Sequence, residues 1–466
     1  MKRLPRILLS ALLASSSAHA GQVDHEEIVV EAPFEMPTIR VPVFPARDFS
    51  IDDFGAEEGG KSKVTDSIRK AVQACHDAGG GRVVVPKGRW LTGAVHLRGN
   101  VNLHLTEGAE LVFSDDPDDY LPAVRTSWEG MECFNYSPLV YAYDCENLAV
   151  TGKGTLHAKM GTWEKWSGRP PAHMEALKKL YHMAAKDVPV EERRMAEGAN
   201  NLRPHFIQFN RCRNVLVEDV RIRNSPFWTI HPLLCKSVVI RRVDVRAHGH
   251  NNDGVDPEMT RDMLVEDCVF DQGDDAIAIK SGRNQDAWRL DTPTENLVIR
   301  NCTMEQGHQL VAIGSELSGG IRNVYIHDCI FAANEKHPPQ NMLFIKTNIR
   351  RGGFVENIHF ENIEAEQVRF SVLGIETDVL YQWKDIVPTY EERLTPIRDI
   401  FLRNVKVGKC DTPFRILGDK RQPVTGVTLE NISVGQAEHP DSRFEHVRGL
   451  RRTNVTIGGA EQARAR

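Results

Sequence analysis

Gly273-Asp274-Asp275-Ala276-Ile277-Ala278-Ile279-Lys280 and Gly307-His308-Gln309-Leu310-Val311-Ala312-Ile313-Gly314 can be laid over one another position by position. A third segment, Asn252-Asp253-Gly254-Val255-Asp256, fits the same frame. In each, a polar cluster precedes an apolar run. Aligned this way, Asp253 and Asp275 share one column, while Asp274 and His308 share the next. If the runs are parallel strands stacked about 4.8 Å apart, three carboxylates and an imidazole converge on one outer face.

The rest of the chain supports stacking, because one strand motif recurs along it. A polar residue, alternating apolar positions and a turn with Asn or Asp appear at 214–219, 263–268, 296–302 and 323–329. Later copies lie at 357–362, 399–404 and 426–431, and Ser237 to Val243 fits with Arg242 at the turn. Copies start 23 to 42 residues apart, so each is a coil with variable insertions. Alternation with β-branched residues makes these strands, not helices. The expected fold is all-β: a right-handed parallel β-helix, a solenoid whose coils bury their inward residues against one another. Val64, Ile68, Val72 and Cys75 mark an amphipathic helix between Thr65-Asp66 and Gly79-Gly80-Gly81. Such a helix would cap the N-terminal end of the stack, where apolar surface and strand backbone are otherwise bare.

Lys2, Arg3 and Arg6 precede the apolar stretch Ile7 to Ala14, and Ala18-His19-Ala20 offers a small-x-small cleavage site. Residues 1–20 therefore read as a signal peptide, too short in apolar content for the roughly 20 residues of a membrane span. Residues 21–45 form an N-terminal extension, and 46–460 the β-helix domain with an insertion at about 157–201. Export to a periplasmic or extracellular location is expected. Loss of the leader's three cations takes the formal charge from −6 to −9, which argues against a nucleic-acid partner.

Nine cysteines would suggest disulfides in an exported chain, but Cys268, Cys302 and Cys329 recur at one position of successive repeats, as a buried ladder would. Asp267, Asn301, Asp328, Asn362, Asn404 and Asn431 line up at one turn, where left-handed backbone suits them. No Cys or His spacing matches a zinc site, and neither metal nor cofactor is expected.

Clustered carboxylates on one face are the inventory of glycosidic-bond hydrolysis. The chain resembles a polygalacturonase of glycoside hydrolase family 28. The resemblance runs from Asp53-Phe54-Gly55-Ala56 and Gly79-Gly80-Gly81-Arg82 to Asn224-Ser225-Pro226-Phe227-Trp228. Its site motifs follow in the family's order: an Asn-x-Asp at Asn251 or Asn252 with Asp253, the pair Asp274-Asp275, and Gly307-His308. The resemblance implies inverting single displacement on α-galacturonosidic bonds of pectin, with a pectic polysaccharide or oligogalacturonide as substrate. It makes Asp274 the acid and Asp253 with Asp275 the base pair. His308, stacked over Asp274, would keep its proton available. Lys346, Phe344, Asn252, Gln309 and Lys280 are the expected substrate contacts.

Two positions depart from the family. Its Gly-His-Gly reads Gly307-His308-Gln309, and its Arg-Ile-Lys reads Phe344-Ile345-Lys346. Phe344 should point into the groove as an apolar platform where relatives hold a carboxylate with arginine, which favours a neutral or esterified sugar there. Lys346 could instead pair with Glu376 on the next coil. Arg283, Arg289, Arg350 and Arg351 lie just downstream of groove strands, as compensating cations or as solvated loop charges. The insertion carries Trp163, Trp166 and a helical stretch from Met174 to Glu197. Beside a solenoid groove it would close one end and favour exo-attack. A rhamnogalacturonan-type hydrolase, a β-helical lyase and a non-catalytic carbohydrate-binding solenoid are the other readings.

Overall fold

The strand motif forms parallel ladders whose register follows the repeats. Val215, Val238, Met263, Leu297, Val324, Ile358, Ile400 and Val427 are successive Cα partners, and all are buried. The computed structural model describes residues 23–332, 336–379 and 392–459; the expected leader, 1–20, lies outside the described residues. These ladders build a parallel β-helix with its apolar core along the axis.

The Asn turns stack as expected. Asp267, Asn301, Asp328, Asn362, Asn404 and Asn431 all have φ between 52° and 56°. Their side chains bond along the stack, with Asn404 Nδ2 donating to Asn362 Oδ1 at 3.0 Å and Asn431 Nδ2 to Asn404 Oδ1 at 3.1 Å. Short amides fit because they tolerate left-handed backbone while bonding locally. All nine cysteines are free, and Cys268, Cys302 and Cys329 are buried.

Helix α1 spans Thr65–Asp77, with Ile68, Ala71, Val72 and Cys75 buried against the first strands. An antiparallel hairpin, Asp24–Ile28 with Ile39–Val43, lies on an outer face. There Val30, Ile39 and Val41 cover Ala149, Leu216, Val239, Leu264 and Val298, which explains why those outward positions are apolar.

The insertion packs on the solenoid. Helix α2 (Gly161–Ser167) buries Trp163 against Tyr120 and Trp166, so Trp163 packs the insertion onto the solenoid. Helix α3 runs Pro171–Ala185 and stops short of the expected Glu197. Its end precedes Asp187 in left-handed backbone and then Pro189, which cannot continue a helix. Leu177, Leu180, Tyr181 and Ala184 form its apolar stripe against the hairpin Val124–Trp128 and Met131–Asn135.

The groove floor is one parallel sheet of strands Ile277–Ile279, Gln309–Gly314, Asn341–Lys346, Ser371–Glu376, Phe414–Leu417 and Arg443–Glu445. Upstream, Val255 and Glu258 bridge Ile230 and Leu233 on one side to Ile277 and Lys280 on the other.

Candidate active site

Pairing of Val255 with Ile277, and of Ile277 with Val311, fixes which side chains stack. Gly254 N–H donates to Asp275 O at 3.0 Å, and His308 N–H to Asp274 O at 2.8 Å. Asp253 therefore sits beside Asp275 and Asp274 beside His308, the columns read from the sequence. These four residues line a cavity of about 350 Å³. Asp274, Asp275 and His308 each present an atom within 4.8 Å of the others.

Burial and charge sort the three acids. Asp253 and Asp275 are buried, and desolvation with the neighbouring Asp274 charge raises both. Lys280 and Lys346 oppose that rise, with Lys346 Nζ 3.4 Å from Asp275 Oδ2. For Asp274 burial also pushes upward, but the His308 hydrogen bond and charge, with Lys346 and Lys280, overcome it and hold the carboxyl at about 2. His308 Nδ1 lies 2.9 Å from Asp274 Oδ1; burial lowers the imidazole, and Asp274 and Asp275 more than reverse this, so it is raised. The His308 hydrogen bond and charge, helped by the two lysines, favour the Asp274 carboxylate, and Asp274 and Asp275 in turn favour a protonated His308.

Lys280 and Lys346 belong to one column, separated by Gly314. Gly314 has φ 95°, and a Cβ there would lie 2.1 Å from Lys346 O, so only glycine lets the strands close at this point. Lys280 is 4% exposed. Its Nζ donates to Gly314 O at 3.1 Å and to Glu316 Oε2 at 3.2 Å, and lies 5.0 Å from the Trp228 ring centre.

The opposite wall comes from segments that the strand repeat does not reveal. Arg283, 6% exposed, bridges Glu316 and Glu129 and also donates to the Tyr181 hydroxyl of α3. Burial raises Glu129, and the Arg283 charge does not fully cancel that; Glu316 stays low because Lys280, Arg283 and Arg351 together outweigh its burial. Arg169, between α2 and α3, and Arg350 complete this lining. Arg283 is therefore a buried wall residue, not a solvated loop charge. Arg351 donates to Asn284 Oδ1 at 2.8 Å, and Arg289 to Glu132 Oε2 at 2.7 Å.

Several expected contacts lie elsewhere. Asn252 is 1% exposed and spends its amide on Ser225 O at 2.7 Å. Asn251 lines the cavity instead, turned there by left-handed backbone and held by Arg203 Nη2 at 3.0 Å. Gln309 continues the Asp253–Asp275 column but is buried beyond the cavity lining. Phe344 does face outward, half-buried, yet its ring leans over Gly374 beside the cavity, where a Cβ would meet it at 2.7 Å. Lys346 Nζ lies 5.8 Å from that ring centre and reaches Asp275; Glu376 receives Arg415 Nε at 2.9 Å.

The family description glycosyl hydrolases family 28 matches residues 191–451. The chain is 26% identical over 406 residues to a probable polygalacturonase of Vitis vinifera, covering 84% of this chain and 74% of the relative. To an exo-poly-alpha-D-galacturonosidase of Dickeya chrysanthemi it is 27% identical over 61% of its length, and it spans half of that relative. Among solved structures it is similar to a hyperthermoactive exopolygalacturonase from Thermotoga maritima, with 38% identity, a TM-score of 0.83, and coverage of 90% of this chain and 94% of that one.

Proposed function

The chain belongs to glycosyl hydrolases family 28, and from that premise we propose that it hydrolyses α-galacturonosidic bonds of pectic chains, acting from a chain end. The observation that carries the reading is the stacking of Asp253, Asp274 and Asp275 on adjacent coils with His308 against Asp274. A uronide substrate suits a cavity whose lining includes Lys280, Lys346, Arg169, Arg283 and Arg350. These cations offset the absence of an arginine at Phe344, which favours homogalacturonan over a neutral-sugar substrate.

In this mechanism water is held by Asp253 and Asp275 and attacks the anomeric carbon as the bond to the leaving oxygen breaks. The water's proton passes to the base pair. The Asp274–His308 pair, which carries one proton, delivers it through Asp274 to the leaving oxygen. Attack from the face opposite the leaving group inverts the anomeric centre. In this reading the insertion supplies the exo character: α3 puts Tyr181 against Arg283, which pairs with Glu129, and Arg169 joins the same lining, a wall that supports admission of a terminal sugar. The leader expected at residues 1–20 supports action outside the cytoplasm.

Product analysis on polygalacturonate tests the reading. Monomeric galacturonate of inverted configuration, lost by more than about a hundredfold in Asp274→Asn while binding persists, is the expected result. Unsaturated products, or release of mixed oligomers from the outset, would overturn it.

A further inference from the structure

Asp256 is a fully buried carboxylate that the mechanism above leaves unused. The register that sets Val255 between Ile230 and Ile277 gives Asp256 two column neighbours, His231 on the preceding coil and Ala278 on the next. Among the described residues no hydrogen-bond donor reaches either of its carboxyl oxygens, and Asp253 Oδ1 is in the same condition. The two side chains are within hydrogen-bonding reach of each other. Around them, Asp275 adds negative charge, and Lys280 supplies positive charge to both. His231 cannot serve as a cation: its Nε2 lies 2.9 Å from Glu258 Oε2 and its Nδ1 2.9 Å from Gln208 Nε2, and burial with the Lys280 charge holds it down at about 3. Glu258, beyond it, is raised by burial to about 7.

Two carboxylates in contact in a dry site cannot both ionise cheaply, whereas one proton between them satisfies an oxygen on each. We infer that Asp256 holds this proton and donates its O–H to Asp253, as a positioning residue that keeps the base anionic and aimed at the cavity. The inference rests on the hydrolytic reading above. Burial with the Asp274 and Asp275 charges raises Asp253, and burial with the Asp253 and Asp275 charges raises Asp256, the direction this requires. During turnover the water O–H breaks and its proton joins Asp253, so the pair passes from one proton to two. The second proton leaves to solvent after the product.

Asp256→Leu and Asp256→Asn separate the donor from the charge. The leucine fills the space without donating; kcat on trigalacturonate should fall about 10²–10³-fold, the cost of a lost preorganised donor, with KM little changed. The acidic limb of its kcat/KM profile should move to higher pH, since Asp253 has lost the donor that stabilised its anion. The asparagine keeps a donor and no titratable proton, and should restore kcat to within about tenfold of wild type with the limb in place. Equal losses in both variants, or full activity in both, would overturn the proposal. A melting series gives an independent readout. Because the Asp256 pKa is raised on folding, its contribution to stability is fully present below about 3.8 and is lost as pH rises through the folded value. Asp256→Asn should therefore melt progressively higher than wild type from pH 4 to 7, and a constant difference would refute the bound proton. An inactive wild type would sink the hydrolytic reading while leaving this melting test intact.

Discussion

Arg283→Met isolates the link between the insertion and the groove. The guanidinium is 6% exposed and sits between Glu129 and Glu316, with the Tyr181 hydroxyl from α3 on its other side. Methionine preserves much of the packing and removes the charge. Glu316 retains Lys280 at 3.2 Å, but Glu129 loses its ion-pair partner in a dry wall and keeps only the charges of Arg169 and Lys280 acting on it. Breaking a buried pair in this way costs about 3–5 kcal/mol at neutral pH. With an unfolding entropy of about 2.1 cal/mol/K per residue, the 466-residue chain has about 1 kcal/mol/K in all, so the melting temperature should fall by about 3–5 °C. The stranded acid can escape by taking a proton. Its ordinary value is 4.5 and burial raises it, so the folded state binds more protons than the unfolded one above about pH 4.5, and stability is lost as pH rises toward the raised value. The defect should therefore shrink as pH falls from 7.5 to 5, by at most about 1.4 kcal/mol per pH unit. Adding Glu129→Gln should recover most of the loss at pH 7.5. Melting curves of the wild type, both single variants and the double variant at the two pH values decide it. A defect that is equal at both, or that Glu129→Gln leaves untouched, would refute the charge argument for this wall.

Turnover should fall as pH rises through the elevated pKa of His308, because the Asp274–His308 pair is then empty; in His308→Gln the alkaline limb should move to lower pH, where Asp274 alone must hold the proton, with about 10²-fold lost in rate. Phe344→Ala removes the ring flanking Lys346 and should lower kcat/KM about tenfold, about 1.4 kcal/mol, mainly through KM, as measured by initial rates on oligogalacturonides. Asn404→Ala forfeits two ladder hydrogen bonds and leaves at φ 52° a residue without the short amide that makes left-handed backbone tolerable, costing about 1–2 kcal/mol, or about 1–2 °C in melting temperature. Asn404→Gly should cost less because glycine accepts that backbone freely, and calorimetry of the two variants separates the terms.

The columns of the site were legible in the sequence for a physical reason. In a parallel β-helix each coil's register is set by its own inward residues, so segments that align in sequence stack in space, and Asp253 falls beside Asp275 and Asp274 beside His308 without knowledge of any loop. The same locality limits what alignment can say. Alternation assigns a side chain to the inner or outer face, but an outer position can be solvent, cavity or buried polar layer according to what crosses it. Arg283 reads as a loop cation from its own neighbourhood; its burial depends on Glu129, which comes from a hairpin 154 residues earlier, and on Tyr181 in the insertion. Asn251 and Asn252 are adjacent and alike, and only the left-handed turn at Asn251 decides which amide meets the cavity. Asp256 lies one step from an inward valine and so reads as outward. It is nonetheless fully buried, because the coil bearing Asp253 is pinned to its neighbours by bridges at Val255 and Glu258, with His231 and Ala278 on either side. The candidate acids were visible because the repeat places them. The groups that set their protons and close the pocket were not, because they arrive from segments outside the repeat or depend on how the coils pack around them.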